Sequence, residues 1–230
     1  PLELQTLLNP KLWGALVFDE IPEFSSTMFQ PVGGMDRIPY AFYEHLKDAV
    51  RFNAEVSDIQ TSEQGSRISY RDRLSGKTQT LSADYAIVTV PLPLLAKLAS
   101  NFTAPFKQAI QTAQSDQANK VAWQAPRFWE TDFNIYGGLS YLDHEVKGLW
   151  YPSDRLNSAQ GILVAAYNTS ESAQAFSQKS LAEQFASSRQ AVELLHPGHS
   201  TKLQKPVAIN WSKVSYSKGP WIVNDEVGDC

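Results

Sequence analysis

Val32-Gly-Gly-Met-Asp-Arg-Ile-Pro39 and, a short way on, Arg51-Phe-Asn-Ala-Glu-Val56 are the stretches that decide the fold. Consecutive glycines permit a turn that other residues resist. Pro39 suits a first helical turn, where its missing N–H has no partner to lose. Phe42, Leu46, Ala49 and Val50 then share one face of a helix over residues 38–50. The residues after it predict a strand over 51–60, with Phe52, Ala54, Val56 and Asp58 on one face.

Working outward, residues 66–72 and 78–81 predict a hairpin around Ser75-Gly76-Lys77. Tyr85-Ala-Ile-Val-Thr-Val90 is a continuous apolar run, the pattern of a strand buried on both faces of a parallel sheet. Pro91 and Pro93 end it, a short helix follows over Leu94–Ala99, and another runs from Pro105 to about Ala113. The texture then changes. Strands are expected over 119–125, 147–151, 161–168 and 205–214. Between the last two, Ser180-x-x-Glu183 is a capping box. Leu181, Phe185, Ser188, Val192 and Leu195 continue at helical spacing, and Pro197-Gly198 closes the helix. Upstream, a short helix over Leu4–Leu16 and a connector with Pro22 are expected. The boundaries are therefore a helical connector segment at 1–30, a strand–helix–strand block at 31–113, a sheet with a covering helix at 117–214, and a return segment at 215–230. Both ends read as cut from a longer chain.

Composition narrows the function classes. The chain has 230 residues, 43% hydrophobic and 19% charged, with a net charge of −4. An acidic balance without basic runs argues against nucleic acid. No apolar stretch approaches the ~18 residues of a membrane span. Cys230 is the single cysteine, which excludes an internal disulfide and a cysteine-based zinc cage. Four histidines (His45, His144, His196, His199) lack ligand spacing, and no metal site is expected. His196 and His199 flank a Pro-Gly turn and read as solvated imidazoles at a helix end. Of the sequons at Asn101, Asn168 and Asn210, Asn101 is the comfortable glycan position, a slight pointer to a secreted protein.

Nucleophilic catalysis has no support, because no Gly-x-Ser-x-Gly and no ordered Ser/His/Asp set occurs. No Gly-x-Gly-x-x-Gly opens a strand–helix unit either. The paired carboxylates Asp225 and Glu226 read as solvated. Lys120, at the start of the apolar strand Lys120-Val-Ala-Trp123, is on pattern alone an exposed lysine. Val56, Tyr167 and Trp211 are on pattern alone core or boundary residues.

The order and spacing of Gly33-Gly34-Met35-Asp36, Val56, Ala83-Asp-Tyr-Ala-Ile-Val-Thr-Val-Pro91, Lys120-Val-Ala-Trp123 and Phe128-Trp129-Glu130 resemble the flavin amine oxidase family, most closely the middle portion of an L-amino acid oxidase. The resemblance implies an α+β or α/β fragment. Part of it belongs to a doubly wound FAD-binding domain; the rest is a mostly antiparallel substrate-domain sheet with a covering helix. It implies that the Val56 backbone contacts the adenine of FAD and that Lys120, the catalytic residue, points at flavin N5 and holds a water there. Tyr167 would bind the substrate carboxylate, Trp211 would pack beside the flavin, and Trp221 would line the substrate region. Tyr216-Ser-Lys-Gly219 keeps the family's Tyr-x-x-Gly turn. One departure stands out: residues 1–32 contain no histidine, where some members place one.

The implied reaction is oxidative deamination of an L-amino acid by FAD and O2, giving a 2-oxo acid, ammonia and H2O2. The implied partners are the remaining chains of the same precursor, in a secreted homodimer. The pyrophosphate loop and the carboxylate-binding arginine are not in the sequence, so this chain alone is expected to be inactive. Trp150, Tyr151 and Trp221 hint at an apolar or aromatic substrate. Alternatives are a monoamine or polyamine oxidase of the same family, and a flavin-free binding fragment.

Overall fold

The computed structural model describes residues 29–223 together with Leu4. The rest of the helix expected over Leu4–Leu16, the Pro22 connector, Asp225, Glu226 and Cys230 lie outside the described residues. The described residues fall into two units. One holds those up to Val50 with Ser153–Leu156; the other holds Arg51–Pro152 and the residues from Asn157 on.

In the first unit, Gly33 and Gly34 take φ of +97° and +118°, and the Gly34 N–H donates to the Pro31 carbonyl at 3.2 Å. Helix α1 (Arg37–Leu46) follows and ends in a 3-10 turn over Lys47–Ala49. The apolar stripe is there but faces open space. Phe42 is 65% exposed, and no residue of α1 is buried.

In the second unit, β1 (Ala54–Ser62), β2 (Gly65–Asp72), β3 (Thr78–Ala83) and β4 (Ala99–Ser100) form one sheet in the order β3-β2-β1-β4. β1 to β3 are an antiparallel meander, and β4 joins β1 in parallel at Asp58↔Ala99. A bulge between Val56 and Asp58 breaks the alternation expected along 51–60. It brings Val56 and Ile59, rather than Val56 and Asp58, into one cluster with Leu95, Leu98, Phe102 and Ile110. Helices α2 (Leu92–Leu95) and α3 (Ala104–Thr112) bring Leu92, Leu95 and Ile110 to that cluster.

The run Tyr85–Val90 departs from expectation. It forms no strand, and Tyr85 and Ile87 are 90% and 93% exposed. A strand of this composition is stable only between two neighbours that satisfy its N–H and C=O groups. Among the described residues no strand pairs with it.

The larger sheet is antiparallel throughout, in the order β10-β6-β9-β8-β7. After the short β5 (Gln114–Ser115), β6 (Ala118–Pro126) is followed by helix α4 (Phe128–Thr131), β7 (Leu139–Tyr141), β8 (Gly148–Trp150) and β9 (Gln160–Thr169). Helices α5 (Ser170–Ser177) and α6 (Leu181–Leu195) precede β10 (Gln204–Asn210), and β11 (Ile222–Val223) returns to pair with β5. Side chains alternate strictly along β6. Asn119, Val121, Trp123 and Ala125 are buried, while Lys120, Ala122 and Gln124 are half-buried on the opposite face.

The buried face packs under α6. Trp123 Nε1 donates to Ser188 Oγ at 2.9 Å, Phe185 meets the Trp123 ring edge-on at 5.5 Å, and the Arg189 guanidinium lies 4.2 Å from that ring's centroid. The expected capping box is formed: Glu183 N–H donates to Ser180 Oγ, and Ser180 N–H donates to Glu183 Oε2 at 2.8 Å. Such caps contribute about 1 kcal/mol.

Phe128, Trp129 and Glu130 are sealed in the core beside Arg127. Arg127 Nε donates to Glu130 Oε1 at 2.6 Å, and Arg127 Nη2 donates to the Pro152 carbonyl at 3.2 Å. Glu130 Oε2 accepts the Asn157 N–H at 2.9 Å. Burial raises the Glu130 pKa, but the Arg127 bonds and the Asn157 N–H outweigh it and hold the carboxyl below its ordinary value.

His196 corrects another expectation. Rather than solvated, it is 3% exposed, wedged against Phe128 and Phe133, with Nε2 2.8 Å from the Tyr151 hydroxyl. The short Pro-Gly turn folds the helix end back onto the sheet. Burial, aided by His199, lowers its pKa.

Candidate functional site

The open face of the larger sheet carries one row of residues set by register. Lys120 on β6 stands opposite Tyr167 on β9 and Ile209 on β10, and Tyr167 stands opposite Gly148 on β8. Cross-strand partners share a face, so Lys120, Tyr167 and Ile209 project from the side that α6 leaves uncovered. Lys120 Nζ lies 4.5 Å from the Tyr167 ring centroid and 4.9 Å from that of Trp150. The two rings are roughly stacked, with centroids 6.4 Å apart and planes at 29°. Burial lowers the Lys120 pKa and raises that of Tyr167. Tyr167 is therefore a neutral hydroxyl donor at any physiological pH.

One residue behind runs a second row, facing the other way. Asn168, Asn119 and Asn210 align across β9, β6 and β10. Asn168 Oδ1 accepts the Lys147 N–H at 2.8 Å, and its Nδ2 donates to the Glu145 carbonyl at 3.0 Å. Asn119 Nδ2 donates to the Ala173 carbonyl at 2.7 Å. Asn210 Oδ1 accepts the Ser212 N–H at 3.3 Å. Each amide thus ties down a connection that leads to or from the open row. Nothing in sequence spacing marks this set, because only register brings it together. The sequons differ in exposure, and the Asn101 Nδ2 donates to the Thr61 carbonyl at 2.7 Å. The whole Asn168 side chain and the Asn210 Nδ2 are sealed from solvent, whereas Asn101 is exposed.

Trp211 begins the 3-10 turn Trp211–Lys213, which lies against β6 two residues past the one that faces Lys120. Trp221 sits in the strap β11–β5, where its carbonyl accepts the Asp116 N–H at 3.0 Å. Its side chain is 46% exposed, and among the described residues no ring contact or hydrogen bond joins it to the Lys120 cluster. Gly219 is required nearby: its φ is +156°, and a Cβ there would overlap Ser115 Oγ.

Val56 lies elsewhere in the unit, beside a cavity of about 460 Å³ lined by Val56, Val90, Pro91, Leu94 and Tyr216. β4 pairs with β1 only from Asp58, so among the described residues no strand flanks Ala54–Val56 on that side. Tyr216 is a part of this region that turn-reading alone had missed. Its hydroxyl accepts from Arg73 Nη1 at 3.1 Å and donates to Glu55 Oε1 at 3.3 Å, tying the C-terminal strap to the smaller sheet.

The donor set suits a flavin. An apolar cavity beside an unpaired strand edge fits a flat aromatic base, and a partly desolvated ammonium fits a ring that gains negative charge on reduction. Among the described residues no cluster of side chains could hold a metal ion. None of their helices is long and apolar enough to cross a membrane.

The profile of the flavin containing amine oxidoreductases matches residues 12–226. The L-amino acid oxidase bordonein-L of Crotalus durissus terrificus is 28% identical over 156 residues, 66% of this chain and 30% of that protein. The L-amino-acid oxidase of Protobothrops flavoviridis is 28% identical over 152 residues, 64% of this chain and 29% of its own length. The chain thus spans about a third of the length of these relatives. In fold it is similar to a redesigned putrescine oxidase, with a TM-score of 0.71 at 19% identity, covering 82% of this chain and 41% of that one. The cyclohexylamine oxidase of Brevibacterium oxydans gives the same TM-score and coverage at 13% identity. The mixed α/β architecture is that of FAD-dependent amine oxidases.

Proposed function

We infer the activity from one premise: this chain belongs to the family of flavin containing amine oxidoreductases, and its cofactor is FAD. The reading we favour is that it forms part of an oxidase acting on L-amino acids, with 2-oxo acid, ammonia and H2O2 as products. Residues 31–113 would then complete the FAD-binding domain, and residues 117–214 would form the substrate wall. Bound FAD supplies the two-electron acceptor, which O2 restores.

The protein's own residues have narrower tasks. The Tyr167 hydroxyl donates to the substrate carboxylate; its pKa, raised by burial, keeps the proton in place. Lys120 handles a proton next to the reacting carbon and steadies negative charge that forms when oxygen is reduced. The Val56 backbone meets the adenine end, and Trp211 closes the side of the ring and excludes water. Trp221 would line the substrate region from the strap.

One observation carries the reading: Lys120 and Tyr167 are directly opposed on an uncovered sheet face, both partly desolvated. A tyrosine hydroxyl at this place suits a carboxylate, which a simple amine lacks. That favours the reading over a monoamine or polyamine oxidase. Peroxide release measured with L-amino acids against amines tests it, and turnover of amines alone would refute it. A purified protein without flavin absorption would favour the flavin-free alternative. Lys120→Met should slow reoxidation of the reduced flavin in stopped-flow; an unchanged oxygen rate removes the assigned role. Secretion, a homodimer and companion chains of one precursor belong to the same reading.

A further inference from the structure

We propose that Trp150 is a positioning residue for Lys120: together with Tyr167 it forms a two-ring seat that holds the ammonium on the open face of the sheet. The inference rests on the oxidase reading above only for its consequence, not for its geometry.

The argument begins with what the sheet lacks. Its five strands contain Lys120 and Lys205 and not a single aspartate or glutamate. The groups facing Lys120 across the strands are Ile209 from β10, Tyr167 from β9, and Trp150 of β8. Tyr167 is the one titratable group among them, and it stays neutral. No described carboxylate pairs with Lys120, and burial is the whole cause of its lowered pKa. A half-buried ammonium without an anion needs another source of negative potential. Two aromatic faces within 5 Å are that source here, and tryptophan offers the strongest such face.

The strand geometry explains why Trp150 takes the second place. The residue directly opposite Tyr167 is Gly148, which has no side chain. Trp150 follows two residues along β8, past a register shift that sets it opposite Val164, and its indole comes to lie beside the Tyr167 ring. Lys120 is thus gripped from the side of β8 as well as β9. Its Nζ has a fixed place that a flexible four-carbon stem would not otherwise keep.

The test reads the lysine directly. Pulse labelling of the flavin-loaded protein with an amine-specific acylating reagent, resolved by peptide mass spectrometry, gives the pH midpoint of Lys120 reactivity. In Trp150→Leu the ammonium loses its better ring, so the midpoint should fall by about 0.5–1 pH unit. Trp150→Phe keeps a ring face and should recover most of that fall, with a native melting transition as control. A midpoint that rises in Trp150→Leu would show that Trp150 merely excludes water, and an unchanged midpoint would show no contact of consequence; either overturns the proposal. The oxygen rate measured on the same variants is a separate readout. If the midpoint falls but the oxygen rate does not follow it, the seat stands and the role given to Lys120 fails.

Discussion

Glu130→Ala, in helix α4 beside the larger sheet, should damage stability severely. The substitution leaves the Arg127 guanidinium buried with its Nε donor unmatched and removes the acceptor of the Asn157 N–H. Arg127 and Glu130 are both 3% exposed, so water cannot replace the lost oxygens without opening the core. Breaking one half of a buried pair costs about 3–5 kcal/mol. For a chain of this size each kcal/mol is worth roughly 2–4 °C in melting temperature, so a fall of roughly 6–20 °C is expected. Thermal and urea unfolding, followed by tryptophan fluorescence, measure it. The pH dependence has a definite sign. The Glu130 pKa is depressed in the folded state, so its contribution is complete above the unfolded value of about 4.3 and disappears as pH falls through the folded one. The gap between wild type and Glu130→Gln should therefore close in acid. A Glu130→Ala protein within about 0.5 kcal/mol of wild type at neutral pH would refute the reasoning.

Gly161→Ala should strike the same clamp from outside, because a Cβ there would overlap Arg127 Nη1; a lowered melting temperature is expected. Ser180→Ala should cost about 1 kcal/mol in urea unfolding through loss of the helix cap. Tyr167→Phe should raise KM for an L-amino acid roughly ten-fold or more, with a smaller change in kcat, because a hydrogen bond to a charged group is lost. The His196 pKa is depressed in the folded state, so the unfolded chain takes up its proton first and stability drops as pH falls below about 6.5. His196→Phe should flatten that part of the stability–pH curve.

Much of the fold was legible because it rests on local signals. The paired glycines, the hairpin around Gly76 and the Ser180 capping box act over a few residues, and each appears where its chemistry places it. The misses all depend on remote partners. The run Tyr85–Val90 has strand composition but no described strand to pair with. One bulged residue in β1 changed which side chains join Ile59 in the cluster. His196 looked solvated because the turn after it shows no sign that it folds back onto Tyr151. At the site, Lys120 and Tyr167 were singled out by resemblance, whereas their opposition is a matter of register that sequence does not display. The asparagine row and the Trp150 ring were hidden for the same reason.

The pleat of β6 has a practical consequence for redesign. The uncovered face and the packed face occupy alternate letters of one strand. Substitutions at Ala122 or Gln124 reshape the uncovered surface, while Val121 and Trp123 keep their grip on α6. Inserting or deleting one residue ahead of Lys120 would do the opposite. It would drive the ammonium into the helix-packed interior and turn the asparagine outward, losing the open row and the scaffold together.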